Sequence, residues 1–333
     1  EMKQLKYMPS FWEWKIKISS TLLLISFLGR TQEDTIPVED FENKKVLYLD
    51  VGYRSAPFNI DCPIGGETST LKYKNNFRTL LGIGFAHKWF HLRIGFPILN
   101  YVKSVEKWGE SNQFNLGLNF TVKKFFFDFD FSTVQGYAIQ NYRAIDSTYD
   151  KSHLSVPGIG TTNFSLNSWY FHDHGFKMSA LRGIQAHYKN PVHTWYIKAT
   201  VNVFGVDNNG ASIVPSSILE ANNDQIQAST LSAFDFGIIP GYAYVNRVKN
   251  WQFSGWLGLG AVVQSKFYFS GENRGFLGLA PRYDIRLLGG YSSKKFFTFV
   301  VLEFDNKSIR FSDLKYNLNS HSIKIVGGIR FGK

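Results

Sequence analysis

Residues 113–131, QFNLGLNFTVKKFFFDFDF, alternate apolar and polar side chains over two runs joined by Lys123-Lys124, and this alternation restricts the fold more than any other feature. Successive side chains of a strand point to opposite faces, so Phe114, Leu116, Leu118, Phe120 and Val122 share one face and Asn115, Asn119 and Thr121 the other. After the turn, Phe125, Phe127, Phe129 and Phe131 oppose Asp128 and Asp130. The local pattern fits a soluble antiparallel sheet with its phenylalanines inside, and equally a hairpin with them in lipid.

The same period of two recurs over residues 47–53, 77–87, 90–98, 195–203, 251–269, 283–291, 296–305 and 322–331. An aromatic fraction of 17%, with 31 phenylalanines and 29 glycines, argues for β-structure throughout. In nearly every run one face is crowded with Phe, Leu, Ile, Val, Tyr and Trp, while the other carries Gly, Asn and charges of both signs. Repeated strands of this length suit a bilayer, which about nine to eleven strand residues cross. The expected fold is all-β: a transmembrane antiparallel up-and-down β-barrel of 12 strands, or up to 14, with its apolar face outward. A closed barrel also leaves no unpaired backbone in hydrocarbon.

The chain ends fit export. Lys3, Lys6, Lys15 and Lys17 precede an apolar run, ISSTLLLISFL at 18–28, too short to span a bilayer as a helix, and Gly29-Arg30-Thr31 offers a small-x-small cleavage site. Residues 2–31 are therefore expected to be a signal peptide, 32–45 an N-terminal periplasmic segment and 46–333 the barrel, sited in a bacterial outer membrane. Cys62, the one cysteine, lies too far on to carry a lipid anchor and excludes an internal disulfide; it is expected to be inert. The formal charge of +11 falls to about +8 without residues 1–31, and it is dispersed, with no nucleic-acid-binding motif.

Four short turns are basic and lead directly into an aromatic residue: His87-Lys88 before Trp89, Lys123-Lys124 before Phe125, Lys249-Asn250 before Trp251 and Lys294-Lys295 before Phe296. Aromatics favour membrane interfaces, and short turns belong to the periplasmic rim. Residues 58–76, 100–111, 138–162, 268–275 and 306–317 are expected as outer loops. Counting segments gives about thirteen, but such barrels carry an even number. The preferred resolution sets the Trp195 run inside an outer loop, giving twelve; the alternative returns ASIVPSSIL at 211–219 as a strand, giving fourteen.

The segments LDVGYRSAPF at 49–58, KYKNNFRTLLGIGFAHKWFHLRIGFPI at 72–98, PGYAYV at 240–245 and VGGIRF at 326–331 together resemble outer-membrane barrels of Bacteroidota catalogued as domain of unknown function 4421. The resemblance spans roughly residues 40–333 and implies fold and location, with no catalytic or binding residue carried over. One departure is that Gly332 and Lys333 follow Phe331, whereas many barrels end on the aromatic that the barrel assembly machinery reads.

Asp128, Asp130, Arg93, Arg282, Asp284, Arg286, Glu303 and Asp305 are expected to line the lumen, with Asp50, Arg54, Lys198, Asp235, Lys324 and Arg330 on the same face. Arg282, Asp284 and Arg286 can pair across strands with Glu303 and Asp305, filling a narrow lumen; the alternative is a selective pore. Asp128 and Asp130, at i and i+2, lie about 7 Å apart, too far for a chelate or a shared proton. His172-Asp173-His174 falls in a turn without a third metal-type partner, and no GxSxG elbow occurs, so no cofactor, metal site or catalytic residue is expected. Expected partners are outer-membrane lipids and the assembly machinery, with a small solute or a protein as further partner. Passive or accessory transport of small solutes leads; a non-conducting barrel that binds a partner through its outer loops follows, and a barrel lipid hydrolase comes last.

Overall fold

The computed structural model describes residues 38–332 apart from 123–124, 174 and 220–222. The expected signal peptide at 2–31, the Lys123-Lys124 pair and His174 lie outside the described residues. In chain order the strands are β1 (Val38–Asp40), β2 (Lys45–Ser55), β3 (Phe58–Ile64), β4 (Glu67–Lys74), β5 (Arg78–His87), β6 (Phe90–Tyr101), β7 (Asn112–Val122), β8 (Phe125–Ile139), β9 (Leu154–Phe171), β10 (Ala186–Tyr188), β11 (Val192–Asp207), β12 (Thr230–Val248), β13 (Trp251–Phe269), β14 (Asn273–Ser292), β15 (Phe296–Arg310) and β16 (Lys315–Phe331).

Twelve of these close a ring in the order β2-β5-β6-β7-β8-β9-β11-β12-β13-β14-β15-β16, and β16 returns to β2 with Phe331 opposite Lys45 and His321 opposite Ser55. All neighbours are antiparallel, so the ring has no open edge. The β3-β4 hairpin continues β2 and β5 but takes a shorter path, pairing with the end of β16 on one side and the end of β8 on the other. No helix among the described residues is long and apolar enough to cross a membrane.

The faces decide the environment. Outward residues are large and apolar and lie open on the outer surface: Ile238 is 60% exposed, Leu259 61% and Ile325 58%. Asp235 and Arg282, by contrast, are 0% and 3% exposed. In water such a surface would be unstable; in a bilayer it is the required exterior, and the chain is a transmembrane β-barrel. The basic-aromatic turns at 87–88, 249–250 and 294–295 share the rim that carries the ends of the ring, and Trp89, Phe125, Trp251 and Phe296 point outward there at 60%, 46%, 55% and 51% exposure.

The twelve strands are not the twelve of the preferred count. The Trp195 run is β11, paired on both sides by β9 and β12, rather than part of an outer loop. Residues 211–219 are a loop holding one 3-10 turn at Ser216–Ile218. Two wall strands are absent from the expected runs: β12, over Thr230–Val248, and β9, which occupies residues 154–162 of an expected outer loop and runs on to Phe171. The β9 sequence, GIGTTNFSLNSWYF over 158–171, sets Thr161, Asn163, Ser165 and Asn167 inward but also Thr162 and Ser168 outward, so its period of two is blurred. The expected loops at 58–76, 268–275 and 306–317 are also mostly strand, because the wall rises past the apolar belt and its exterior there no longer needs to be apolar.

Candidate functional site

Along strand after strand the inward face changes character twice. On β15 it reads Phe297, Phe299 and Val301, then Glu303, Asp305 and Lys307, then Ile309. On β8 it reads Phe126, then Asp128, Asp130 and Ser132, then Val134 and Tyr137. Aligned around the ring, these changes stack into an apolar seal near the terminal rim, a charged midsection, and a second apolar seal toward the far rim. The expectation of a polar interior throughout holds only for the middle; the glycine positions and alternation show which residues face inward, but the layering appears only once the strands are in register.

The midsection is a network of ion pairs. Arg93 holds Asp50 with Nε and Nη2, each 2.6 Å from a carboxylate oxygen. Arg286 reaches Asp128 on the far wall at 3.7 Å and Glu303 on the neighbouring strand at 3.6 Å. Glu303 also accepts from Lys324 at 3.1 Å and from Ser322 at 2.8 Å. Arg282 pairs with Asp235, Lys198 with Asp284 at 3.0 Å, Lys307 with Asp305 at 2.7 Å and Arg54 with Asp130 at 3.5 Å. All eight residues expected to line the lumen therefore face the interior. The expected pairing of 282, 284 and 286 with 303 and 305 is realised at Arg286–Glu303 alone; Asp284 stands opposite Asp305, and each takes its own lysine. What space remains forms two adjoining cavities with room for a few waters each.

The terminal seal is made by the β9–β11 connection, which turns back into the mouth. Phe176, Met178, Ala180, Leu181, Ile184 and Tyr188 of this plug pack on Trp169, Tyr196, Trp256, Phe297 and Phe299 of the wall. Its short helix, Met178–Leu181, leaves carbonyls that the wall satisfies. Gln252 Nε2 donates to Ala180 O and Leu181 O at 3.0 and 3.2 Å, and Ser254 Oγ to Leu181 O at 2.7 Å. Arg330 donates to Ile184 O at 2.7 Å and to Gly183 O at 2.6 Å. From the plug, Arg182 reaches into the midsection and donates to Asn119 Oδ1 at 2.6 Å, while Gln185 meets His91.

β1 completes this seal by pairing with β10, Glu39 opposite His187. Glu39 contacts His187 at 2.7 Å and Lys294 at 3.3 Å, and Lys177 binds Asp40 at 2.5 Å and Glu42 at 3.4 Å. Burial, reinforced by Arg247, holds His187 below the usual imidazole range, against the pull of Glu39. Burial pushes Glu39 upward, but the bonds to His187 and Lys294 outweigh it and leave its pKa lowered.

The far seal gathers Phe58, Ile60, Leu71 and Tyr73 of β3-β4, Tyr137, Phe204, Tyr268 and Tyr316 of the wall, and Ile213, Val214, Ile226 and Ala228 of the loop after β11. Tyr73 donates to Ile213 O at 2.7 Å, tying hairpin to loop. Cys62 is buried in this seal. Of the histidine motif, His172 stacks on Trp195 at 4.6 Å and Asp173 accepts from Gly175 N at 2.9 Å. Among the described residues no three His, Cys, Asp or Glu side chains gather as metal ligands. Sequence reasoning missed Arg182 and Lys307, the first because the plug reads as an ordinary turn, the second because the charge run of β15 was taken to end at Asp305.

A sequence profile of the DUF4421 family, described as a domain of unknown function, matches residues 32–331. No curated protein matches the chain. Among solved structures, the outer membrane protease OmpT from Escherichia coli is 8% identical, with a TM-score of 0.43 over 90% of this chain and 100% of that one. The translocator domain of the autotransporter NalP from Neisseria meningitidis is 9% identical, with a TM-score of 0.38 over 95% and 96%. The P. putida toluene transporter TodX is 8% identical, with a TM-score of 0.30 over 86% and 90%.

Proposed function

We propose, for a chain that belongs to the DUF4421 family, the role of a non-conducting outer-membrane barrel whose far rim is a fixed platform for binding a partner. The observation that carries this reading is the pair of apolar seals bracketing an ion-paired midsection. An ion crossing the lumen would have to leave water twice, and each charge it met would already be neutralised. Location in an outer membrane follows from the lipid-facing belt on an even-numbered closed barrel. The barrel is not an enzyme in this reading, since the charged groups of the midsection hold one another and the seals bar a substrate from both sides.

Pure, folded protein in planar bilayers is expected to give no conductance steps. Replacing residues 176–188 with a short Gly-Ser linker is expected to leave it silent, because the far seal stands alone. Reproducible steps from the intact chain would sink the reading and restore solute transport, which needs both seals to withdraw together.

A further inference from the structure

One cluster at the far rim takes no part in either seal. Tyr53 continues the lipid-facing row Leu47, Leu49 and Val51 of β2, and Phe77 stacks on it at 5.1 Å between centroids. Lys103 lies 5.6 Å from the Phe77 ring and 3.7 Å from that of Trp108, which in turn meets His153 at 4.2 Å. Val102 and Val105 beside them are 58% and 39% exposed. The cluster thus lies on the outer side of the wall, where the apolar belt ends, with aromatic faces, short apolar side chains and cations together. That composition suits the interface between acyl chains and headgroups.

Its lysines are unpaired, the carboxylates of the same loop, Glu106 and Glu110, being exposed and in no ion pair with them. Lys74, Lys103 and Lys107 have no ion pair among the described residues. Burial and then Lys103, Lys107 and Lys74 depress His153, and burial and then Lys74 depress Lys103, so the cations crowd one another closely enough to disfavour protonation. In the midsection Arg93, Lys198, Arg282, Arg286, Lys307 and Lys324 each meet a carboxylate; here the Phe77 and Trp108 rings hold Lys103 without an ion pair among the described residues.

We propose that Lys74, Lys103 and Lys107, seated around Trp108 and His153, form a docking site for the phosphate-bearing headgroup of a membrane lipid in the leaflet at the far rim. The acyl chains would lie on the belt below, along Val51, Ile83 and Phe96, while the phosphate meets the cluster. This rests on the membrane-embedded reading and is independent of whether the barrel conducts.

The test uses the full chain in detergent, with bound lipid counted by native mass spectrometry during titration with phosphatidic acid and, separately, with diacylglycerol of the same acyl chains. The variant Lys74→Gln/Lys103→Gln/Lys107→Gln is expected to bind phosphatidic acid weaker by about fivefold per charge removed, with diacylglycerol unchanged. Lys107→Glu, a change at an exposed position that leaves packing intact, should shift binding in the same direction. Equal phosphatidic acid binding by wild type and the triple variant would overturn the proposal. So would inorganic phosphate binding as tightly as the lipid, which would make this a free-anion site.

Discussion

Arg330 is 4% exposed and sits between the Phe41 and Phe297 rings, 4.8 Å from each centroid, while its guanidinium serves carbonyls of the plug and of the β14–β15 turn. No lysine can reproduce this fork, so Arg330→Lys should lose most of what Arg330→Ala loses. Leaving those buried carbonyls unsatisfied is expected to cost about 2–4 kcal/mol, read as a lower temperature for loss of the compact gel band on heating in detergent. A second residue-level case is Arg282 and Asp235, which are 2% and 0% exposed as side chains. Removing either partner alone strands a buried charge, at about 3–5 kcal/mol, whereas Arg282→Met with Asp235→Leu should be much milder. A denaturant titration of the three variants that found the double change worst would contradict this. Both residues were recognisable as inward-facing from alternation alone, but their pairing was not, because Asp235 and Arg282 lie on β12 and β14 with β13 between them.

Among elements, the β1–β10 ribbon is the one whose stability should follow pH. His187 and Glu39 both have lowered pKa values when the ribbon is docked, so the docked form binds fewer protons than the free one. Their stabilisation is complete above about pH 6.5 for the imidazole and above the usual 4.5 for the carboxylate, and it is lost as pH falls. Lys177 has the opposite sign: burial lowers it, yet Asp40 and Glu42 prevail and raise it, so its share is present below 10.5 and lost on the alkaline side. A nitroxide on Val38→Cys, with Cys62 shielded by burial, is expected to report an immobile ribbon at pH 7.5 and a growing mobile population near pH 5. Glu39→Gln/His187→Gln should flatten that dependence; an unchanged acid response in this double variant would assign it to other groups. The plug itself was illegible in sequence, since residues 172–191 carry the polar and turn-forming residues of a connection, and only the wall supplies partners for Met178, Leu181 and Ile184.

At the scale of the whole molecule, the orientation of the faces is open to direct test. Leu257, 47% exposed on the outer face of β13, would tolerate arginine freely if that face met water. In lipid, Leu257→Arg is expected to cost about 2–4 kcal/mol, measured by reversible folding into vesicles. Inward-facing glycines give the complementary constraint: a Cβ at Gly84 would enter the Tyr48 ring, so Gly84→Val should block folding while leaving outward neighbours untouched. By itself the sequence determined that the chain is a strand-built barrel and which side chains alternate inward and outward, because a period of two is imposed by the local geometry of the strand. It did not determine which twelve segments form the wall, since β9 dilutes its alternation with Thr162 and Ser168 on the outward face. Only the tertiary structure decided that the lumen is sealed twice around a charged middle, because that layering depends on strand register and on a connection folding back into the mouth, and both are set by contacts between residues far apart in the chain.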